Sequence, residues 1–87
     1  MRIRFHGPFA ALAEKEAQLD LVRPVSVREL LEMICRRYEG MSRFAAIRTD
    51  ADLSAHLVFL RQGSLLRLSD PVQDGDNIEI LLPATGG

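Results

Sequence analysis

The sequence predicts an α+β domain in which one main helix packs across a mixed sheet of about five strands. Three observations predict this fold class. Several short apolar or alternating segments are typical of strands. One strongly amphipathic segment follows Ser26 and predicts a helix. The length, 87 residues, fits one small domain. A single helix laid on one sheet is then the economical packing.

The first strand is predicted at residues 2–7, where polar and apolar residues alternate. The polar face carries Arg2, Arg4 and His6, and the apolar face carries Ile3 and Phe5. Gly7-Pro8 ends this strand, and residues 9–16 are expected to form one helical turn. Residues 17–21 alternate again and predict a second strand, antiparallel to the first because the connection is short.

The main helix is predicted to begin after Ser26. Residues 26–29 fit the S-x-x-E capping box, in which serine and glutamate satisfy each other's backbone donors. An apolar stripe follows with helical spacing, formed by Val27, Leu30, Leu31, Ile34 and Tyr38. Gly40 is the predicted stop.

The second half of the chain predicts three more strands. Residues 41–48 are interpreted as a short second helix and 49–52 as a turn. Residues 56–61 are apolar on both faces, which is typical of a strand inside a sheet. Gln62-Gly63 predicts a tight hairpin, with a short return strand at 65–68.

The last strand is predicted at residues 77–82. Residues 69–71 are a loop, and Asp74-Gly75-Asp76 is a strong turn motif before the strand. Pro83 ends the strand because proline has no backbone donor. The element order fits a β-grasp (ubiquitin-like) roll with the first and last strands parallel and adjacent. We expect a domain at 1–82 and a flexible tail at 83–87.

Composition excludes several classes of function. The formal net charge of −1, with basic residues scattered, argues against a nucleic-acid or membrane-surface partner. No apolar run is long enough for a membrane span, and residues 1–5 do not resemble a signal peptide. A single cysteine cannot form an internal disulfide. We therefore expect a cytoplasmic protein.

Few side chains are candidates for chemistry. These are Cys35, the histidines His6 and His56 on predicted strands, the turn carboxylates Asp74 and Asp76, and Ser26. Cys35 lies beside the helical stripe and is expected to be a packed thiol. The histidines lack metal-ligand spacing, the aspartates fit a turn, and Ser26 fits a helix cap. We expect no metal site, no catalytic residues and no activity of the isolated chain.

The end of the chain carries a family resemblance. Residues 74–87, a D-G-D turn followed by an apolar strand, a proline and Gly86-Gly87, resemble the terminus of the ubiquitin-like sulfur carriers of the MoaD/ThiS family. Residues 3–8 and the chain length are similar to the molybdopterin synthase small-subunit (MoaD) type. The tail at 82–85 departs from that type, which usually has two prolines and a valine-alanine there.

The resemblance implies a non-catalytic carrier whose end is chemically activated. Gly87 would be adenylated and converted to a thiocarboxylate, and the tail would enter the active sites of partner enzymes. That tail comprises Pro83, Ala84, Thr85, Gly86 and Gly87. The implied partners are an E1-like adenylating enzyme (MoeB/ThiF type), which uses ATP, and the large subunit of molybdopterin synthase (MoaE type). The chain itself would bind no cofactor.

Three alternatives remain open at this stage. The chain could carry sulfur for thiamin or another metabolite, modify protein lysines through Gly87, or be a binding module with incidental glycines. For the partner surface we expect the outer sheet face, with Phe59 and Leu81 exposed on it or covered by a partner. Equally, these two residues could form a second small core under residues 41–54.

Overall fold

A computed structural model describes residues 1–83 of the chain. The strands are β1 Arg2–Phe5, β2 Glu16–Gln18, β3 Val25–Ser26, β4 Val58–Arg61, β5 Ser64–Leu65, β6 Pro71–Val72 and β7 Asn77–Leu81. The α-helices are α1 Pro8–Leu12, α2 Val27–Arg37 and α3 Asp50–His56, and a 3₁₀ helix covers Glu39–Ala46. Of the predicted tail at 83–87, residues 84–87 lie outside the described residues.

The main sheet has five strands in the order β2-β1-β7-β4-β5. β1 pairs with β2 antiparallel and with β7 parallel, as the sequence predicts for the first and last strands. Its alternation is also confirmed, since Ile3 and Phe5 are buried and Arg2 and Arg4 are exposed. β7 is thus the central strand, held by β1 on one side and β4 on the other.

Helix α2 covers the inner face of the sheet with the predicted stripe. Val27, Leu30, Leu31 and Ile34 are buried, and Tyr38 is partly buried against the core. The predicted capping box is present: the Glu29 amide donates to Ser26 Oγ at 3.1 Å, and the Ser26 amide donates to Glu29 Oε1 at 3.3 Å. Ser26 is therefore a cap, as expected.

The predicted end of this helix is wrong. α2 ends at Arg37, and Gly40 lies inside the 3₁₀ helix that follows. A methyl group at Gly40 would overlap the Leu12 carbonyl oxygen and stand 3.1 Å from Leu12 C and Cα. Glycine is needed here because two backbones pass closely, not because a helix stops.

The segment before β4 differs most from the prediction. Residues 49–52 were expected to be a turn, but Thr49 is the N-cap of α3, and its Oγ1 accepts from the Asp52 amide at 3.1 Å. His56 is the last residue of that helix rather than part of a strand. The expected second helix at 41–48 is the 3₁₀ helix at Glu39–Ala46.

Two further two-residue strands, β3 and β6, pair with each other outside the main sheet.

The hairpin between β4 and β5 is confirmed. Gln62 has φ 52° and Gly63 has φ 78°, the left-handed pair that a two-residue primed turn requires. The return strand is shorter than expected, ending at Leu65. Leu66 and Leu68 then leave the strand and enter the core.

Candidate functional site

The chain leaves the domain at the end of the central strand. The His6 amide donates to the Ile80 carbonyl at 2.9 Å, so pairing with the β1 side continues almost to Leu81. Leu82 is half exposed and lies beside Gly7, and Pro83 is the last described residue. A strand held on both sides gives a rigid base, so the direction in which the chain leaves is fixed by the sheet.

The turn before β7 is built from two carboxylates with structural roles. Asp74 Oδ1 accepts from the Leu21 amide at 3.1 Å and from the α-ammonium of Met1 at 3.3 Å. The Leu21 hydrogen bond, more than the nearby α-ammonium, lowers the pKa of Asp74 below its usual value. Gly75 has φ 94°, which only glycine adopts readily.

Asp76 fixes the start of the last strand. Its Oδ2 accepts from the Gln73 amide and from Arg61 Nη1, both at 3.0 Å. Arg61 also donates to the Pro71 carbonyl at 2.7 Å. Both aspartates therefore hold the turn, as expected, and neither is placed as an acid–base pair.

The outer face of the sheet, away from α2, carries an apolar strip. It consists of Val58, Leu60, Leu65 and Leu81. Val58 lies opposite Leu81, and Leu60 lies opposite Leu65, so each pair shares a face. Leu65 is 63% exposed and the other three are partly exposed. Leu81 belongs to this surface, and it is the residue from which the tail departs.

Phe59 was expected on the same surface, and that expectation is wrong. It lies opposite Ile80 across the β4–β7 ladder, and both side chains are completely buried on the inner face. Side chains alternate along a strand, so Phe59 and Leu81 lie on opposite faces. Phe59 belongs to the main core under α2 and is not available to a partner.

A shallow groove adjoins the apolar strip. It lies between α3 and the β4–β5 hairpin, with a volume of about 410 Å³. Leu53, Leu57, Val58, Leu65 and Leu66 form its apolar lining, with Asp50 and Arg67 among the polar residues around it. Val58 and Leu65 are common to the groove and the strip, so the two form one continuous apolar area.

The other half of the outer face is charged. Glu16 on β2 pairs with Arg2 Nε at 3.6 Å and with Arg4 Nε at 3.5 Å. His6 Nε2 lies 3.0 Å from Glu79 Oε1. A partner that covers this face would contact apolar side chains on the β4–β5 side and paired charges on the β1–β2 side. The two halves are chemically distinct, so a partner complementary to both would dock in a single orientation.

The remaining candidate residues have structural roles. Burial raises the pKa of Cys35, and its Sγ donates to the Met41 carbonyl at 3.1 Å, as expected for a packed thiol. His56 is exposed, with Nδ1 at 2.8 Å from the Asp52 carbonyl. Within residues 1–83, no group of three or more metal-ligating side chains is clustered. No helix in the same range is long and apolar enough to cross a membrane.

Sequence reasoning missed three of the four residues in the strip. Val58 and Leu60 had been read as interior because the segment is apolar on both faces. The hairpin motif at Gln62-Gly63 predicts their position, since a two-residue turn pairs Arg61 with Ser64 and therefore Leu60 with Leu65. Val58 lies two residues before Leu60 and thus on the same face.

The fold and the site together define the class of protein to which this chain belongs. The chain is a ubiquitin-like β-grasp domain in which the central strand ends beside an apolar surface. The chain belongs to the ThiS family, whose model matches residues 3–87. This places it among the ThiS/MoaD-type ubiquitin-like sulfur carriers, small proteins that are carriers rather than catalysts.

Solved structures share the fold at low identity. One, from Pyrococcus furiosus, is provisionally described as molybdopterin converting factor subunit 1; it is 23% identical, with 95% of each chain covered and a TM-score of 0.74. SAMP1 from Haloferax volcanii is 19% identical, covering 99% of this chain and 97% of that one, with a TM-score of 0.74. The HVO 2177 protein of the same organism is 20% identical, with 99% and 84% covered and a TM-score of 0.74. A comparison with curated protein sequences found no match.

Proposed function

We propose that this protein carries sulfur as a thiocarboxylate at Gly87 and acts as the small subunit of molybdopterin synthase. The observation that carries the proposal is the family match, which extends through residue 87 at the end of a central, doubly paired strand. The length, the N-terminal motif and the similarity to a molybdopterin converting factor subunit support the molybdopterin pathway over the thiamin pathway.

The chemistry requires activation of the terminal carboxylate. A carboxylate is a poor acyl donor because attack must expel an oxide from a group that is already anionic. An E1-like adenylating enzyme of the MoeB/ThiF type would join Gly87 to AMP from ATP and release pyrophosphate. A sulfur nucleophile then displaces AMP, and the thiocarboxylate forms. The chain supplies the acyl group and no catalytic side chain.

Two partners must receive the same tail. The adenylating enzyme activates Gly87, and the large subunit (MoaE type) would use the sulfur on a pterin precursor. Residues 83–87 carry small side chains or none, which suits entry into narrow active sites. The apolar strip starts at Leu81, which only Leu82 separates from this tail, so we expect an enzyme that holds the tail to cover the strip as well. We therefore assign the strip as the surface that both partners bind in turn.

Intact mass spectrometry tests the carrier function. The chain is co-expressed with the adenylating enzyme and a sulfur donor, and we expect a mass gain equal to exchange of one oxygen for one sulfur. Fragmentation should locate the sulfur on Gly87, and a variant without Gly86 and Gly87 is the control. Unchanged mass in the wild-type chain would refute the proposal.

The same samples separate the alternatives. Discrete lysine-linked adducts on other proteins, without thiocarboxylate, would indicate a protein modifier. Capture of a pterin-binding large subunit on the tagged chain would support the molybdopterin pathway, and capture of a thiazole-forming enzyme would support the thiamin pathway. A chain that works equally well without Gly86 and Gly87 would be a binding module with incidental glycines.

A further inference from the structure

Lys15 is the single lysine of the chain, whereas arginine occurs at ten positions. Guanidinium groups stay protonated in proteins and are not acylated by ordinary activated esters. The other amine, at Met1, donates to the Leu19 carbonyl at 2.7 Å and to Asp74 at 3.3 Å, and its residue is buried. Lys15 is therefore the one exposed amine on the protein.

The neighbouring carboxylates leave Lys15 unpaired within residues 1–83. Glu14 lies 3.7 Å from Arg37 Nη2 and accepts a hydrogen bond from the Tyr38 hydroxyl. Glu16 pairs with the two arginines of β1. Backbone contacts nevertheless fix the position of Lys15, because its carbonyl accepts from the Phe5 amide at 2.9 Å. The Lys15 side chain is therefore exposed, whereas its backbone is held in place.

The backbone of Lys15 lies at the end of the sheet from which the tail departs. Lys15 is level with Phe5 on β1, and Phe5 is level with Ile80 on β7. Two strand spacings separate Lys15 from β7, about 10 Å, and Pro83 lies three residues beyond Ile80, about 10 Å along the strand direction. The two backbones are then about 14 Å apart. Residues 84–87 span at most about 14 Å, and the lysine stem adds to this reach.

We propose that Lys15 is the internal acceptor for the activated C-terminus of the same chain. The deprotonated Nζ attacks the carbonyl carbon of the Gly87 acyl-adenylate and an amide bond forms. The bond from this carbon to the phosphate oxygen breaks, AMP leaves with the electron pair, and the proton passes to solvent. The product is a ring closed between residues 15 and 87, with no carboxyl group left to carry sulfur.

The inference rests on the proposed adenylation of Gly87. Tethering favours reaction within one molecule, because two groups joined through one chain can meet at an effective concentration in the millimolar range. Sulfur transfer must therefore be faster than ring closure, or the activating enzyme must hold the tail away from Lys15. Ring closure would remove carrier molecules that are activated but receive no sulfur.

The experiment uses the full chain, the adenylating enzyme and ATP, without a sulfur donor. We expect a monomer lighter by one water, and trypsin should release a branched peptide that joins Lys15 to residues 68–87. Lys15→Arg keeps the charge and removes the acceptor amine, so it should keep the full mass. Hydroxylamine, which traps acyl-adenylates as hydroxamates, reports activation independently in both proteins.

Each outcome decides between the two proposals. Hydroxamate without water loss would overturn the role of Lys15 and leave the carrier function standing. Linked dimers would overturn ring closure in favour of transfer between chains, and water loss in Lys15→Arg would assign the acceptor to another group. If no hydroxamate forms in either protein, Gly87 is not adenylated and both proposals fail.

Discussion

Substitution of Leu65 by alanine tests whether the apolar strip is a docking surface. Full burial of a leucine side chain contributes about 1.5–3 kcal/mol. Leu65 is 63% exposed in the free protein. A partner that covers this fraction would therefore gain about 1–2 kcal/mol from it. Loss of this contribution corresponds to a rise in Kd of about 5- to 30-fold for the adenylating enzyme.

The chain offers a matched control at Val22. This residue is 101% exposed and lies in the segment between β2 and β3, away from the strip. Val22→Ala should leave the Kd unchanged. Binding is measured by isothermal titration calorimetry on both variants, after thermal unfolding shows that each has lost less than about 1 kcal/mol of stability.

Two results would refute this reasoning. If Leu65→Ala binds as tightly as the wild-type chain, the strip is not covered in the complex. If Val22→Ala weakens binding as much as Leu65→Ala does, exposed apolar area contributes wherever it lies, and the strip has no special role.

Three further predictions concern stability. Phe59→Ala should lower the free energy of unfolding by about 3–5 kcal/mol in urea, because a completely buried ring is removed. This is a large part of the total free energy of unfolding, which is about 4–13 kcal/mol for a domain of this length. A loss below about 1 kcal/mol would contradict the place of Phe59 in the core. Gly40→Ala should cost about 1–3 kcal/mol, because the methyl meets the Leu12 backbone; a more stable variant would show that this approach is not close. Asp74→Asn should flatten the acid side of the pH–stability profile: the folded pKa of Asp74 is lowered, chiefly by the Leu21 amide, so its contribution is complete above the unfolded pKa and is lost as pH falls through the folded pKa. Unchanged acid sensitivity in that variant would assign the effect to other carboxylates.

Local sequence patterns predicted most of the framework. The alternation in β1, the capping box of α2 and the left-handed pair at Gln62-Gly63 each specify their structure within a few neighbouring residues. The same holds for the turn before β7, where Gly75 supplies the positive φ. Together these elements were sufficient to predict the β-grasp order and the central position of the last strand.

Other elements needed information from distant parts of the chain. The role of Gly40 depends on Leu12, 28 residues earlier, and no local pattern contains that contact. Helix α3 has seven residues and one buried apolar side chain, too little for a clear helical period. β3 and β6 have two residues each and exist because they pair across the fold.

What the sequence alone determined is the fold and the family resemblance, because these depend on motifs carried by adjacent residues. Only the tertiary structure decided which side chains a partner can touch. A strand exposes one of its two faces, and its pairing register with a distant strand decides which one. That register placed Phe59 opposite Ile80 in the core and Leu81 opposite Val58 on the surface. The pairing of β1 with β7 on one side and with the chain at Lys15 on the other placed Lys15 at the end of the sheet from which the tail departs, although Lys15 precedes Leu82 by 67 positions.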